Sequence, residues 1–350
     1  RRDDGDFAVA WIRPYGKGRV FYFSLGHRHE IFWNEPVMQA YLDGIQYALG
    51  DLPCDDLPSG TLSAAYLAQS SKTGYEEGIA AIFADLAGYE MGVNDNRAKL
   101  VANMVLEAQK AGSPNRTDLS ARLAKVAADA KATEAGRVFA CRQLALIAEE
   151  NAIPALVGVL GDAKVGHWAR RALEAIPGQA ADAALVQALG QTNGLVQAGV
   201  AESLGARQVR GAVSALIPLV GAQDATVAVA AADALGRIGG KQAADALRIA
   251  KSQAAVRGAV ARGVLACAEA ARAAGRNAEA SQSYAWLMGA GRAPKHVQAA
   301  AFYGMGMCSP AKGLPAALSV AKSDDMELVR AASKLSRDLP GDTVAASFAK

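Results

Sequence analysis

From about residue 134 the apolar positions fall into pairs of helix-length runs, and one alignment brings those runs into register. Gln143-Leu144-Ala145, Ala172-Leu173-Glu174, Ser203-Leu204-Gly205, Ala234-Leu235-Gly236 and Val264-Leu265-Ala266 place a central leucine at intervals of 29, 31, 31 and 30 residues. Three of these are preceded by a matching first-helix segment: Ile153-Pro154-Ala155-Leu156-Val157, Ala183-Ala184-Leu185-Val186 and Val213-Ser214-Ala215-Leu216-Ile217. A fixed period near 30 with two helices per unit marks a solenoid, because each pair has apolar faces on both sides and buries them only against its neighbours. Within one unit, Ala228, Ala231, Ala232 and Leu235 share a face at i, i+3, i+4 and i+7. Asp224 and Asp162 stand where helix-capping residues belong. Looser spacing then puts Tyr303 38 residues after Leu265 and Leu335 32 after Tyr303, so the array is expected to run on to residue 350.

The first 50 residues follow another rule. Phe7 to Arg13 and Arg19 to Leu25 read as two strands around the turn Pro14-Tyr15-Gly16-Lys17-Gly18, a hairpin signal. A helix is expected to begin near Glu35-Pro36, with Val37, Tyr41, Ile45 and Ala48/Leu49 as its apolar stripe and Gly50 at its end. A hairpin and one helix bury too little surface to fold alone, so residues 1–50 are expected to be the last piece of a larger α/β domain. Asp51 to Gly60 carries two prolines and three aspartates and reads as a linker. Residues 61–133 form a helical connecting segment with helices near 62–70, 75–87, 95–111 and 118–131, the last capped by Thr117 or Asp118. How that segment packs is left open. The fold class is therefore mainly α: an α-solenoid over 134–350 with a small N-terminal α/β remnant.

Composition narrows the function. Hydrophobic residues make up 51% of the chain but aromatics only 6%, so the core is built from Ala, Val, Leu and Ile, which suits close helix packing. With 37 basic and 34 acidic residues the net charge is +3, and no concentrated basic patch points to nucleic acid. No stretch approaches the ~18 uninterrupted apolar residues of a membrane span. The four cysteines, Cys54, Cys141, Cys267 and Cys308, form no paired motif, and Cys141 and Cys267 read as small buried hydrophobes. The chain opens on Arg1-Arg2-Asp3-Asp4 without an initiator Met and is expected to be an excised fragment, which leaves its compartment open.

Two resemblances follow from these residues. Asp224-Ala-Thr-Val-Ala-Val-Ala-Ala-Ala-Asp-Ala-Leu-Gly-Arg-Ile238 is similar to the HEAT-like pattern D-x-x-V-R-x-x-A-A-x-A-L-G-x-I, departing at Ala228, where that pattern has Arg. The run Val9-Ala-Trp-Ile-Arg-Pro-Tyr-Gly-Lys-Gly-Arg-Val-Phe-Tyr-Phe-Ser-Leu-Gly-His27, with Trp33-Asn34-Glu35-Pro36 and Gly44-Ile-Gln-Tyr-Ala-Leu-Gly50, resembles the C-terminal end of the ThuA-like (trehalose-utilisation) domain. That resemblance implies a fold similar to class I glutamine amidotransferases and a link to carbohydrate metabolism, through 3-keto-glycoside processing. ThuA-like domains followed by helical repeats occur in planctomycete and verrucomicrobial multidomain proteins. A bacterial parent of that layout is implied, for which a periplasmic or secreted location is open.

One catalytic candidate emerges, His27. It lies just past a strand end, where open α/β folds place ligand-contacting groups, and it matches the family's Gly-His. A structural histidine bonding a loop carbonyl is the competing account. His27-Arg28-His29-Glu30 lacks a third ligand and reads as a polar loop, so no metal is expected. Gly16-Lys17-Gly18-Arg19 lacks the length and ending of a phosphate loop, and no cofactor is expected. Asn115-Arg116-Thr117 matches a glycosylation sequon that is common by chance, and His167 and His296 lie in helical repeats. Arg170, Arg171, Arg207, Arg210, Arg237, Arg257 and Arg262 recur along the array and read as a charged solvent face; lined up on one edge, they would instead suit an acidic peptide. The leading expectation is a non-catalytic scaffold that takes a protein or peptide on its repeat surface, the fragment itself being inactive. The alternative is a piece of a carbohydrate-active enzyme with His27 in its sugar pocket.

Overall fold

A computed structural model describes residues 10–24, 35–52, 79–93, 95–110, 113–339 and 341. The chain divides into two compact units, Arg1–Glu76 and Glu77–Lys350.

In the first unit, strands β1 (Ala10–Tyr15) and β2 (Gly18–Phe23) form an antiparallel hairpin closed by a two-residue turn, with Tyr15 opposite Gly18. Gly16 sits at φ 61°, the left-handed geometry that such a tight turn needs. The first strand ends two residues later, and the second begins one residue earlier, than the apolar runs suggest, because Pro14 pairs with Arg19 inside the ladder rather than in the turn. Helix α1 (Glu35–Leu49) packs on β2 through Tyr41, which meets the Phe23 and Phe21 rings edge-on at 4.5 and 6.5 Å. Gly44 leaves room for the Phe21 ring, so the packed face turns toward Gly44 and Tyr47. Ile45 and Leu49, expected in the stripe, are therefore exposed.

Among its described residues the second unit is built from helices joined by short turns. Helix α2 is described over 79–87, and α3 (Asp95–Ala108) and α4 (Arg116–Ala128) follow. From α4 onward the helices pair in order, α4 with α5 (Glu134–Ile147) and α6 (Ile153–Gly158) with α7 (Gly166–Ala175). Next α8 (Gln179–Gln191) pairs with α9 (Gly194–Ala206), and α10 (Val213–Leu216) with α11 (Ala225–Ile238). Last come α12 (Lys241–Ile249) with α13 (Arg257–Ala273), α14 (Asn277–Leu287) with α15 (Lys295–Cys308), and α16 (Pro310–Val320) with α17 (Met326–Asp338). The second helices of the pairs stack in one row and the first helices in another, which makes the array an α-solenoid.

One continuous core runs from Ile79 to Ala301 and includes Leu144, Leu173, Leu204 and Leu235, all fully buried. Phe83, Val101 and Leu123 belong to it, so the described part of 61–133 packs on the repeats. Thr133 ties this segment in: its amide donates to the Ala87 carbonyl, its hydroxyl to that of Tyr89, and its oxygen caps α5. A second, smaller core joins Phe302, Leu314, Ala317, Ala332, Leu335 and Leu339.

Two expected positions shift by one residue. Val264, not Leu265, is the fully buried side chain, because Gly263 faces the backbone of α11 at Gly236 and turns its neighbour inward. Phe302, not Tyr303, is the buried aromatic, and Tyr303 donates to Asp338 at 2.8 Å near the surface. The first-helix run over 213–217 is also shorter than expected. Pro218 lacks an amide donor, and the chain tightens into a 3₁₀ turn over Ile217–Gly221. Asp224 caps α11 as expected, accepting from the amides of Thr226 and Val227. Asp162 accepts from Lys164 and Val165 at 2.9 and 3.1 Å. Asn115, rather than Thr117 or Asp118, holds the N-cap position of α4, without a side-chain bond. Thr117 instead donates to Glu149 at 2.6 Å, and Asp118 pairs with Arg122 at 2.7 Å.

Candidate interaction surface

Several polar side chains of the repeats reach between pairs. Ser120 is fully buried, donates to Asn151 at 2.8 Å and accepts from the Glu149 amide at 3.1 Å. Ser203, also fully buried, accepts from Arg170 at 2.8 Å and donates to Glu174 at 3.0 Å. Arg207 closes α9 with its guanidinium on Asp182 at 2.7 Å and on the carbonyls of Glu174 at 2.8 Å and Gly178 at 3.0 Å. Arg137 does similar work earlier, meeting Asp162 at 2.7 Å and the Ala127 carbonyl at 3.1 Å. Charge-assisted bonds with little exposure hold their geometry well, so these groups set how one pair sits on the next.

The arginines singled out from the sequence therefore divide. Arg170 and Arg207 are mostly covered, with side-chain exposure of 12% each. Burial pulls the Arg170 pKa down while Glu202 and Glu174 hold it up, and Arg170 serves the packing. Arg171 pairs with Glu174, and Arg262 reaches Asp233 at 3.0 Å. Arg210, Arg237 and Arg257 are exposed. They do not line one edge as a basic strip.

A different row emerges two residues ahead of the core leucines: Arg142, Arg171, Glu202 and Asp233, one on each of α5, α7, α9 and α11. Its sign changes midway. At the basic end the Arg142 guanidinium lies 5.5 Å from the Trp168 ring, a cation–π arrangement, and His167 meets the same ring edge-on at 5.4 Å. Leu146, one turn beyond Arg142, is 53% exposed. At the acidic end Glu202 and Asp233 line a cleft of about 120 Å³ with Thr226, Val229, Ala230 and Arg237. On the other helix row, a broader groove of about 560 Å³ lies between α8 and the turn Gln208–Gly211, lined by Gln179, Val186, Gln187, Gln208 and Arg210. Gln208 holds that turn at φ 53°, uncommon for a residue with a side chain. Neither Arg142 nor Trp168 stands out in the sequence by motif. The register itself is the available signal, since counting back two places from each leucine finds the row.

His27, His29 and Cys54 lie outside the described residues. Burial pushes the Cys141 and Cys267 thiols up to about 12. His167 and His296 are exposed on helices. Among the described residues no group of three His, Cys, Asp or Glu is placed to hold a metal ion, and no helix is long and apolar enough to cross a membrane.

Comparison with known proteins supplies the rest. A family model for HEAT repeats matches residues 183–266, which span α8 to α13. A trehalose-utilisation (ThuA) model matches residues 2–48. No curated protein matches the chain. Among solved structures, human deoxyhypusine hydroxylase in complex with glycerol aligns at 17% identity over 76% of this chain and 96% of its own, with a TM-score of 0.29. The chain thus joins a segment similar to the trehalose-utilisation family, over residues 2–48, to an α-solenoid that is similar to HEAT repeats over residues 183–266.

Proposed function

We propose that this chain is a non-catalytic interaction scaffold, in which stacked repeats from α2 to α17 present a surface to a protein partner while the ThuA-like segment marks an origin in carbohydrate metabolism. The observation that carries the reading is how the polar groups are used. The side chains that could do chemistry are spent on stapling repeats together, as with Arg207, Ser203 and Arg170. The buried thiols stay protonated at neutral pH. What faces solvent along the second helices is a row of charges with an aromatic anchor, the composition of a binding surface. Two measurements test this together. Purified chain is expected to give no turnover of glycosides or their 3-keto forms, and a saturable protein partner is expected to be lost with Trp168→Ala. Turnover by the chain would overturn the reading.

A second reading is favoured by the family match over 2–48, which includes His27. In it, the parent protein is a carbohydrate-active enzyme of 3-keto-glycosides and His27 contributes to its sugar pocket. His27→Ala in the full-length protein is then expected to lower turnover of a keto-sugar at least ten-fold, and unchanged turnover would rule the assignment out.

A further inference from the structure

We infer that Asn193-Gly194, where α8 hands over to α9, is a site of spontaneous covalent modification, at which the asparagine closes on the glycine amide and ends as aspartate or isoaspartate. The inference stands apart from the scaffold reading and concerns the chemistry of the chain itself. Thr133, Asp162, Asn193 and Asp224 follow one another at intervals of 29, 31 and 31 residues, each eleven ahead of a buried core leucine. Three of the four act as caps: Thr133, Asp162 and Asp224 accept from backbone amides two or three residues on. Asn193 holds the N-cap position of α9, yet its side chain makes no capping bond.

Several features leave that side chain free to react. Asn193 is exposed, and its side-chain amide bonds no other described residue. The Gly194 amide is the first of α9, one of those for which a helix supplies no internal acceptor. Gly194 stands at φ 53°, and outside its own turn the atom nearest to a methyl group placed on it is a carboxylate oxygen of Asp224, 3.9 Å away. The peptide plane between the two residues therefore has room to turn. The other seven asparagines are each followed by a residue that carries a side chain. Asn151 is also tied down, donating to the Thr117 carbonyl at 2.9 Å and accepting from Ser120 at 2.8 Å.

The reaction needs only water. The Gly194 nitrogen gives its proton to solvent and attacks Cγ of Asn193; the new C–N bond closes a succinimide ring, and the side-chain nitrogen leaves as ammonia. Water then opens the ring. Breaking the new Cγ–N bond gives aspartate, and breaking the original peptide bond gives isoaspartate. Either product exchanges a neutral amide for a carboxylate. The aspartate form carries the residue type that Asp162 and Asp224 bring to this register. The isoaspartate form adds one atom to the main chain between α8 and α9. It also frees as a carboxylate the Asn193 carbonyl, which accepts from the Gln197 amide at 3.2 Å.

The test incubates the full chain in warm, mildly alkaline buffer beside the free peptide Gln-Thr-Asn-Gly-Leu-Val, followed by peptide mapping in a mass spectrometer. Asn193 is expected to gain one dalton at a rate within about ten-fold of the free peptide, and at least about ten-fold faster than Asn115, Asn151 or Asn277. The product is expected to accept a methyl group from a protein isoaspartate methyltransferase and to elute as a more acidic species on ion exchange. Asn193→Gln, whose ring would need one more atom, should remove the modified species. Asn193→Ser keeps a capping residue and provides a second variant should the longer side chain disturb the turn, with melting curves as the check. An Asn193 that stays intact while the free peptide converts overturns the inference, as does another asparagine that converts first or a modified species that survives both substitutions.

Discussion

The stretch over α9–α13 and helix α15 use glycine in opposite ways. Between α9, α11 and α13 the helices meet backbone to backbone. A methyl group at Gly205 would lie 2.7 Å from the Ala234 Cα, and one at Gly236 would lie 2.6 Å from the Gly263 Cα. In α15 the small residues make notches for side chains instead. There a methyl group at Gly304 would lie 2.3 Å from the Tyr284 ring, and one at Gly306 would lie 2.3 Å from the end of the Leu335 side chain. A seam between backbones fixes the distance between helices and leaves no atom free to yield. A notch filled by a side chain can adjust by rotation. The tight seam keeps the period regular over α9–α13, and the C-terminal pairs, built on notches, have drifted from it.

The largest test of this contrast is truncation of a fully buried leucine in each core. Leu235→Ala is expected to cost about 3 kcal/mol and to lower the stability of the whole stack in urea titration. Leu335→Ala removes a side chain just as buried, yet hydrogen exchange is expected to show loss of protection confined to α15–α17. Equal loss along the whole second unit in both variants would erase the distinction. Next, Gly236→Ala is expected to cost about 2 kcal/mol, since the clash falls on backbone. Gly306→Ala should cost less, about 1 kcal/mol, because Leu335 can turn and alanine favours the helix.

Caps come third. Asp224→Ala removes an acceptor for two amides at a helix start, worth about 1 kcal/mol, and Asp325→Ala removes a cap of the same kind. Thermal melts should show the first shifting the main transition and the second loosening α17 alone. Asp162 adds a pH dependence. The amides of Lys164 and Val165, then Arg137, hold its carboxyl below the usual range. A depressed folded-state pKa gives stability that is present above about pH 4 and lost as pH falls through the folded value. The gap in melting temperature between wild type and Asp162→Asn should therefore be open at pH 6 and close below pH 4. The smallest effect expected is that of Arg262→Ala, below about 0.5 kcal/mol, because its pair with Asp233 is solvent-exposed.

Much of the fold is legible in the sequence because burial and period coincide there. Leu144, Leu173, Leu204 and Leu235 are recognisable by spacing alone and are all fully buried. The pattern is ambiguous where two apolar residues stand side by side. Val264-Leu265 and Phe302-Tyr303 each offer two choices to a helical pattern, and the decision comes from the opposing helix, as with Gly263 against Gly236. The surface is less legible for a similar reason. Arg207 and Arg210 look alike in the sequence, but the partners of Arg207 lie 25 to 33 residues away and only stacking brings them close. Nothing local distinguishes Arg142 from other helix arginines, and its ring partner Trp168 belongs to the next repeat.

Arg207 has a consequence for how the array comes apart. Its bonds run from the end of α9 to α8 within its own pair, and back to the end of α7 and the turn after it in the pair before. In a one-dimensional array, stability divides into what each unit holds by itself and what adjoining units share. Arg207 adds to both parts, holding α9 to α8 within one pair through Asp182 and tying that pair to the one before it through the carbonyls. Strong coupling of this kind suppresses fraying at a joint and lengthens the block that melts together. The side chain thus acts on the sharpness of unfolding as well as on its midpoint.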